Sequence, residues 1–101
     1  MNDYEVTIGF AGFYGIEQTY TVNADSEEEA EELAIEEAKG DLGIENVESL
    51  GDGEYRVTVN FATFYGADED YDVDADSEEE AEELALDEAS YDLSVESIEL
   101  I

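Results

Sequence analysis

The chain has no cysteine, no histidine and, among 101 residues, only two that carry positive charge, Lys39 and Arg56. Without cysteine there is neither a disulfide framework nor a thiolate zinc site. Without histidine the commonest general base and metal ligand is missing. No apolar run approaches membrane-spanning length, and the opening "MNDYEV" lacks signal-peptide character. These absences predict a soluble, cytoplasmic protein that uses no cofactor.

What the chain has is acid. Asp and Glu number 32, for a formal charge of −30. Low hydrophobicity with high net charge is the usual signature of disorder. Here, however, 43% of residues are hydrophobic and 11% aromatic, with seven Tyr and four Phe, which predicts one folded domain with its charge outside. B-DNA carries one charge per ~1.7 Å of axis, so thirty charges correspond to roughly 50 Å of duplex. A compact domain of this length has a radius of gyration near ~13 Å, so its charge per unit size is at least comparable with that of DNA. Nucleic acid and anionic membrane are poor partners for such a surface; basic proteins and cations are good ones.

A shift of 51 positions lays "YEVTIGFAGFYGIEQTYTVNADSEEEAEELAIEEAKGDLGIENVE" on "YRVTVNFATFYGADEDYDVDADSEEEAEELALDEASYDLSVESIE" without a gap. The turn-forming "GDGE", Gly51 to Glu54, marks the boundary, giving repeats 1–50 and 51–101 within one compact domain. Tyr4, Val6, Ile8 and Phe10 alternate with other residues as in a strand with one buried face, as do Tyr20, Val22 and Ala24. Tyr55, Val57, Val59 and Phe61, then Tyr71, Val73 and Ala75, repeat this in the second copy. Ser26 with Glu29, and Ser77 with Glu80, have capping-box spacing, although Asp25 and Asp76 are alternative caps. Ala30, Leu33, Ala34 and Ala38, matched by Ala81, Leu84, Ala85 and Ala89, form a narrow apolar helix stripe. Gly40 and Gly43 can end the first helix, and a third strand follows in each copy. The expected fold is α+β, a tandem pseudo-symmetric β-β-α-β repeat with an antiparallel-rich, continuous six-stranded sheet and two helices packed on it.

Off the apolar stripe, Glu27, Glu28, Glu31, Glu32 and Glu36 crowd the first helix, and Glu78, Glu79, Glu82, Glu83 and Asp87 the second. Like-charged i,i+4 pairs such as Glu28 and Glu32 each cost ~0.2–0.5 kcal/mol, and the helix dipole offsets only those in the first turn. An ordinary solvated face mixes Lys with Glu, but the two helices share a single Lys. Asp68, Asp70, Asp72, Asp74 and Asp76 recur at every second residue. On one strand they share a face at ~6.6 Å intervals, a spacing similar to that between phosphates along a nucleic-acid strand.

Other readings fit less of this pattern. From Asp68, carboxylates fall at the odd positions of a twelve-residue EF-hand loop that Glu79 closes, but the glycine such a loop needs for its sharp turn is Val73. A divalent-cation binder is therefore the weakest alternative. Adaptation to molar salt, where screening shortens to ~3 Å, accounts for the composition with no charged partner but not for five Asp in one register. No nucleophile–base set or phosphate-cradling motif is present, so no enzyme activity and no catalytic or metal-binding residue is expected. The aromatic stretches "FAGFYG" and "FATFYG" read as hairpin packing turned by Gly15 and Gly66, or as apolar anchors through Phe13, Tyr14, Phe64 and Tyr65.

The segments "YTVNADSEEEAEELAIEEA" and "YDVDADSEEEAEELALDEA" resemble a ββα signature found in small phage and mobile-element proteins, the DpnD/PcfM-like ones among them. The resemblance covers about half of each copy. In charge, size and want of catalytic residues the chain is also similar to phage-encoded DNA mimics that block CRISPR or restriction enzymes. Together these imply an inhibitor, monomeric or homodimeric, that binds a basic nucleic-acid-binding protein in the host cytoplasm. The expected contact residues are Asp68, Asp70, Asp72, Asp74 and Asp76, with Glu27, Glu28, Glu31, Glu32, Glu78, Glu79, Glu82, Glu83 and Asp87.

Overall fold

The structure, a computed structural model, describes residues 2–11, 16–62 and 68–101. Phe13, Tyr14, Phe64 and Tyr65, with the turn glycines Gly15 and Gly66, lie outside the described residues. In chain order the elements are β1 (Asn2–Phe10), β2 (Glu17–Ala24), α1 (Glu27–Lys39), β3 (Leu42–Gly51), β4 (Glu54–Phe61), β5 (Asp68–Asp74), α2 (Glu78–Ser90) and β6 (Leu93–Leu100). The fold is α+β, as the alternation of two-residue and helical periods predicts. No helix among the described residues is long and apolar enough to cross a membrane.

The expected continuous six-stranded sheet is not what forms. There are two three-stranded antiparallel sheets, ordered β2-β1-β6 and β3-β4-β5. Each hairpin is completed by the third strand of the other copy, so neither 1–50 nor 51–101 closes a sheet alone. The crossing takes place at the helix ends. Gly40 and Tyr91 cap the helices in right-handed conformation, at φ −68° and −76°. Neither helix ends on the left-handed residue common at helix C-termini. Asp41 and Asp92 carry the chain onward, and Leu42 pairs with Phe61 while Leu93 pairs with Phe10. The Asp41 carbonyl accepts the Ala62 N–H, and the Asp92 carbonyl the Ala11 N–H, both at 2.8 Å.

Phe10 and Phe61, both fully buried, meet at this junction with ring centroids 5.6 Å apart. The sheets are thus joined through the ends of their central strands, and the molecule is elongated, 50 × 24 × 16 Å. Its radius of gyration is 15.2 Å, above the ~13 Å of a compact chain of this size.

Each sheet buries one face beneath a helix, α1 on the first and α2 on the second. Most of the residues the alternation picks out are buried, Tyr4, Val6, Ile8 and Phe10 on β1 and Val57, Val59 and Phe61 on β4, whereas Tyr55 at the start of β4 and Ala75 just past β5 are only partly so. The helices meet them chiefly through alanine, with Ala30, Ala34, Ala38, Ala81, Ala85 and Ala89 wholly buried and Ile35 and Leu86 partly buried beside them. Leu33 and Leu84, expected in the buried stripe, are instead 39% and 37% exposed. A three-alanine ridge at i, i+4, i+8 lets the helix sit close to the sheet, and the leucine three residues along falls outside the contact. Between β3 and β4 the two-residue loop Asp52-Gly53 has φ of 56° and 78°, the positive values that a type I′ hairpin turn requires.

Candidate functional site

Among the described residues no helix lies over the outer face of the second sheet, and most of its side chains are polar. On β5, Tyr71 and Val73 point into the core while Asp68, Asp70, Asp72 and Asp74 are exposed on the opposite face. Among the described residues β5 is also a sheet edge, paired with β4 alone. Four carboxylates therefore stand in one row, ~6.6 Å apart over about 20 Å. Asp76, expected as a fifth rung, does not belong to the row. The strand ends at Asp74, and Asp76 lies in the turn before α2, where its N–H donates to Glu80 Oε1 at 2.7 Å. The demands of the helix cap override the strand period there.

Cross-strand pairing decides what the row meets. Asp72 lies opposite Arg56, which lies opposite Glu48. Arg56 donates from Nε to Asp72 Oδ1 at 2.9 Å and from a terminal nitrogen to Oδ2 at 3.2 Å, a two-pronged contact. That contact holds the Asp72 carboxyl below its usual range and raises Arg56. Thr58 Oγ1 donates to Asp70 at 2.6 Å. Asp74 lies opposite Glu54, and Asp68 opposite the buried Asn60. Arg56, Thr58, Glu48 and Glu54 were not among the expected contact residues. Their signal was present, because Glu54, Arg56 and Thr58 alternate out of phase with Tyr55, Val57 and Val59, but the strand register that sets them against the aspartates was not.

The helix acids form a different surface. Glu27, Glu28, Glu32, Glu78, Glu79, Glu83 and Asp87 are exposed, with Glu31 and Glu82 partly covered. Those of α2 are on the far side of the sheet from the aspartate row, so the structure does not bring the two sets together. Lys39 contacts Glu36 at 3.3 Å, so both basic residues of the chain already face acids.

Both helices are capped by the serine, and the Glu29 and Glu80 side chains reach back one residue further than in a capping box, accepting the N–H of Asp25 and Asp76 at 2.7 Å. Ser26 Oγ and Ser77 Oγ accept the N–H of Glu29 and Glu80 at 3.2 Å, and Asp25 and Asp76 are not the caps. Residues 68–79 are thus strand, turn and helix, not a ligand-bearing loop. An extended strand spreads its carboxylates too widely to surround one calcium ion with six to eight oxygens at 2.3–2.6 Å. Among the described residues no group of three or more acids is arranged to hold a metal ion. Asp52, Asp74, Asp76 and Glu80 do line an open depression of about 340 Å³ beside the β3–β4 turn.

On the outer face of the first sheet the positions matching the four aspartates hold Glu17, Thr19, Thr21 and Asn23, with Asp3, Glu5 and Thr7 beside them on β1; the Thr7 and Thr19 hydroxyls are 3.2 Å apart and Asn23 donates to Asp3 at 2.6 Å. On its bulged strand β6 the Glu96 side chain folds over Gly9, where a Cβ would fall 2.7 Å from Glu96 Oε2. The aspartate row thus belongs to one copy only. No protein-family model, curated protein or solved structure matches the chain.

Proposed function

We propose that the protein is a nucleic-acid mimic that occupies the basic nucleic-acid channel of a host-defence or DNA-processing protein and inhibits it. The observation that carries this reading is the row Asp68, Asp70, Asp72 and Asp74 on an uncovered face at a sheet edge. The Arg56–Asp72 contact is the bond that a channel arginine would make with the other three. Scale supports the same reading. A net charge of −30 along a 50 Å axis is one charge per ~1.7 Å, the density of B-DNA. The charge serves encounter as well as contact, giving fast, salt-sensitive association with a basic partner. The resemblance to phage and mobile-element proteins makes a CRISPR or restriction complex in the host cytoplasm the first target class to test. No catalytic step and no cofactor enter the proposal.

Because Asp72 is engaged by Arg56, the informative variant is Asp68→Asn, Asp70→Asn and Asp74→Asn together. It should slow association with a captured nucleic-acid-binding protein on the order of tenfold and relieve inhibition with an unchanged fold. Undiminished inhibition would remove the row as the contact surface.

A second reading, a salt-adapted accessory protein with no charged partner, draws on the acids lying on both sides of the second sheet. The same capture experiment separates the two. A mimic retrieves a basic protein that duplex DNA displaces, and a salt-adapted protein retrieves none.

A further inference from the structure

The row of aspartates is not the only feature open to a partner. Beside α1 an open groove of about 590 Å³ is lined by Glu31, Glu32, Leu33, Ile35, Glu36 and Val95. Its chemistry is divided, with an apolar side formed by Leu33, Ile35 and Val95 and three carboxylates around it. Leu33 is 39% exposed, and Ile35 and Val95 are partly so. Val95 lies on β6, which among the described residues is an edge strand with no further strand beside it on this flank of the first sheet. Lys39, the nearest cation along the helix, is held by Glu36.

Charge selects what such a groove accepts. A second copy of the chain also carries −30, and nucleic acid and anionic lipid share that sign. An uncharged apolar segment would leave Glu31 and Glu32 beside the contact with no opposite charge from the occupant, and Glu36 with Lys39 alone. We propose that the groove takes the apolar side chains of a basic amphipathic helix of the protein partner, with its Lys or Arg residues on Glu31, Glu32 and Glu36. This is helix-in-groove recognition, in which apolar residues at helical spacing anchor and the flanking charges orient. It rests on the reading that the partner is basic, and adds to it an apolar anchor that nucleic acid cannot imitate. The binding energy then has two parts: the aspartate row contributes steering that salt suppresses, and the groove contributes burial that salt does not.

The test uses two synthetic peptides of equal length and charge. One has leucines at helical spacing among lysines, and the other has serine at the leucine positions. Titrated into the intact protein and followed by NMR, the leucine peptide should shift Leu33, Ile35 and Val95. It should still bind at about 1 M salt, where screening shortens to ~3 Å. The serine peptide should spare those residues and be lost at that salt. Leu33→Gln, at an exposed position where both residues suit a helix, should weaken the leucine peptide roughly tenfold and leave the serine peptide unchanged. Val95→Ser should act in the same direction.

Equal shifts from both peptides, loss of both at high salt, or full binding by Leu33→Gln would overturn the groove as an anchor. So would a dimer of the free protein that Leu33→Gln dissociates, because the occupant would then be a second copy. Failure of the mimic reading is read separately, as inability of duplex DNA to displace the captured partner, and leaves the peptide result standing.

Discussion

At the crossing between the two halves, single residues make contacts in both directions. The Asp41 carbonyl holds Ala62 of the second sheet, while its side chain accepts a hydrogen bond from the Tyr20 hydroxyl of the first. Asp92 repeats this with Ala11 and Tyr71. Burial first, and then the bond to the aspartate, push both tyrosine hydroxyls well above their ordinary range. Below about pH 10 the hydroxyls are protonated in folded and unfolded chains alike, and the full contribution is present. Above it the unfolded chain releases protons that the folded chain retains, so stability falls as pH rises. Tyr20→Phe with Tyr71→Phe should cost about 1–2 kcal/mol per site at neutral pH and flatten that alkaline decline in urea melts taken across pH. An unchanged slope would place the titrating groups elsewhere. At this scale the outward phase of Asp68 to Asp74 was legible from alternation alone. The Arg56–Asp72 pairing was not, because it depends on a strand register that sequence spacing leaves open.

Among the elements, the helices were the most legible, and their caps explain why. A serine three residues before a glutamate satisfies orphan N–H groups locally, whatever the rest of the chain does. Ser26→Ala and Ser77→Ala should each lower stability by about 1 kcal/mol in urea denaturation. The two losses should add, since the caps share no partner. A non-additive double variant would show that the helix starts communicate. The apolar stripe was read less accurately, because helical spacing alone does not say how closely a helix approaches its sheet. With three alanines as the contact ridge, Leu33 and Leu84 were left partly in water, and on α1 that leucine lines the groove. A short polar strand followed by a capped helix likewise has two claims on one aspartate, and Asp76 went to the turn before the Ser77 cap.

For the whole molecule, the repeat could be read by shifting the sequence, whereas the exchange of third strands could not. β3 and β6 carry similar patterns, and Phe10 and Phe61 stand together, so either hairpin offers a third strand the same local welcome. At the crossing both helices end in right-handed conformation, a backbone property that Tyr91 shows does not require glycine. The exchange has a mechanical consequence. Losing β6 opens the first sheet and losing β3 opens the second, while each of these strands is tied through two residues to the helix on the other sheet. Neither sheet can unfold without pulling on the other, so the chain should melt in one cooperative step despite its elongated shape. Ile8 is wholly buried on β1, and Ile8→Ala should cost about 2–5 kcal/mol. In native-state hydrogen exchange the loss should appear at the amides of Val57 and Val59 on β4 as strongly as at Val6 on β1. Were β4 to keep its protection while β1 lost it, the two sheets would be separate folding units joined only by a shared aromatic contact.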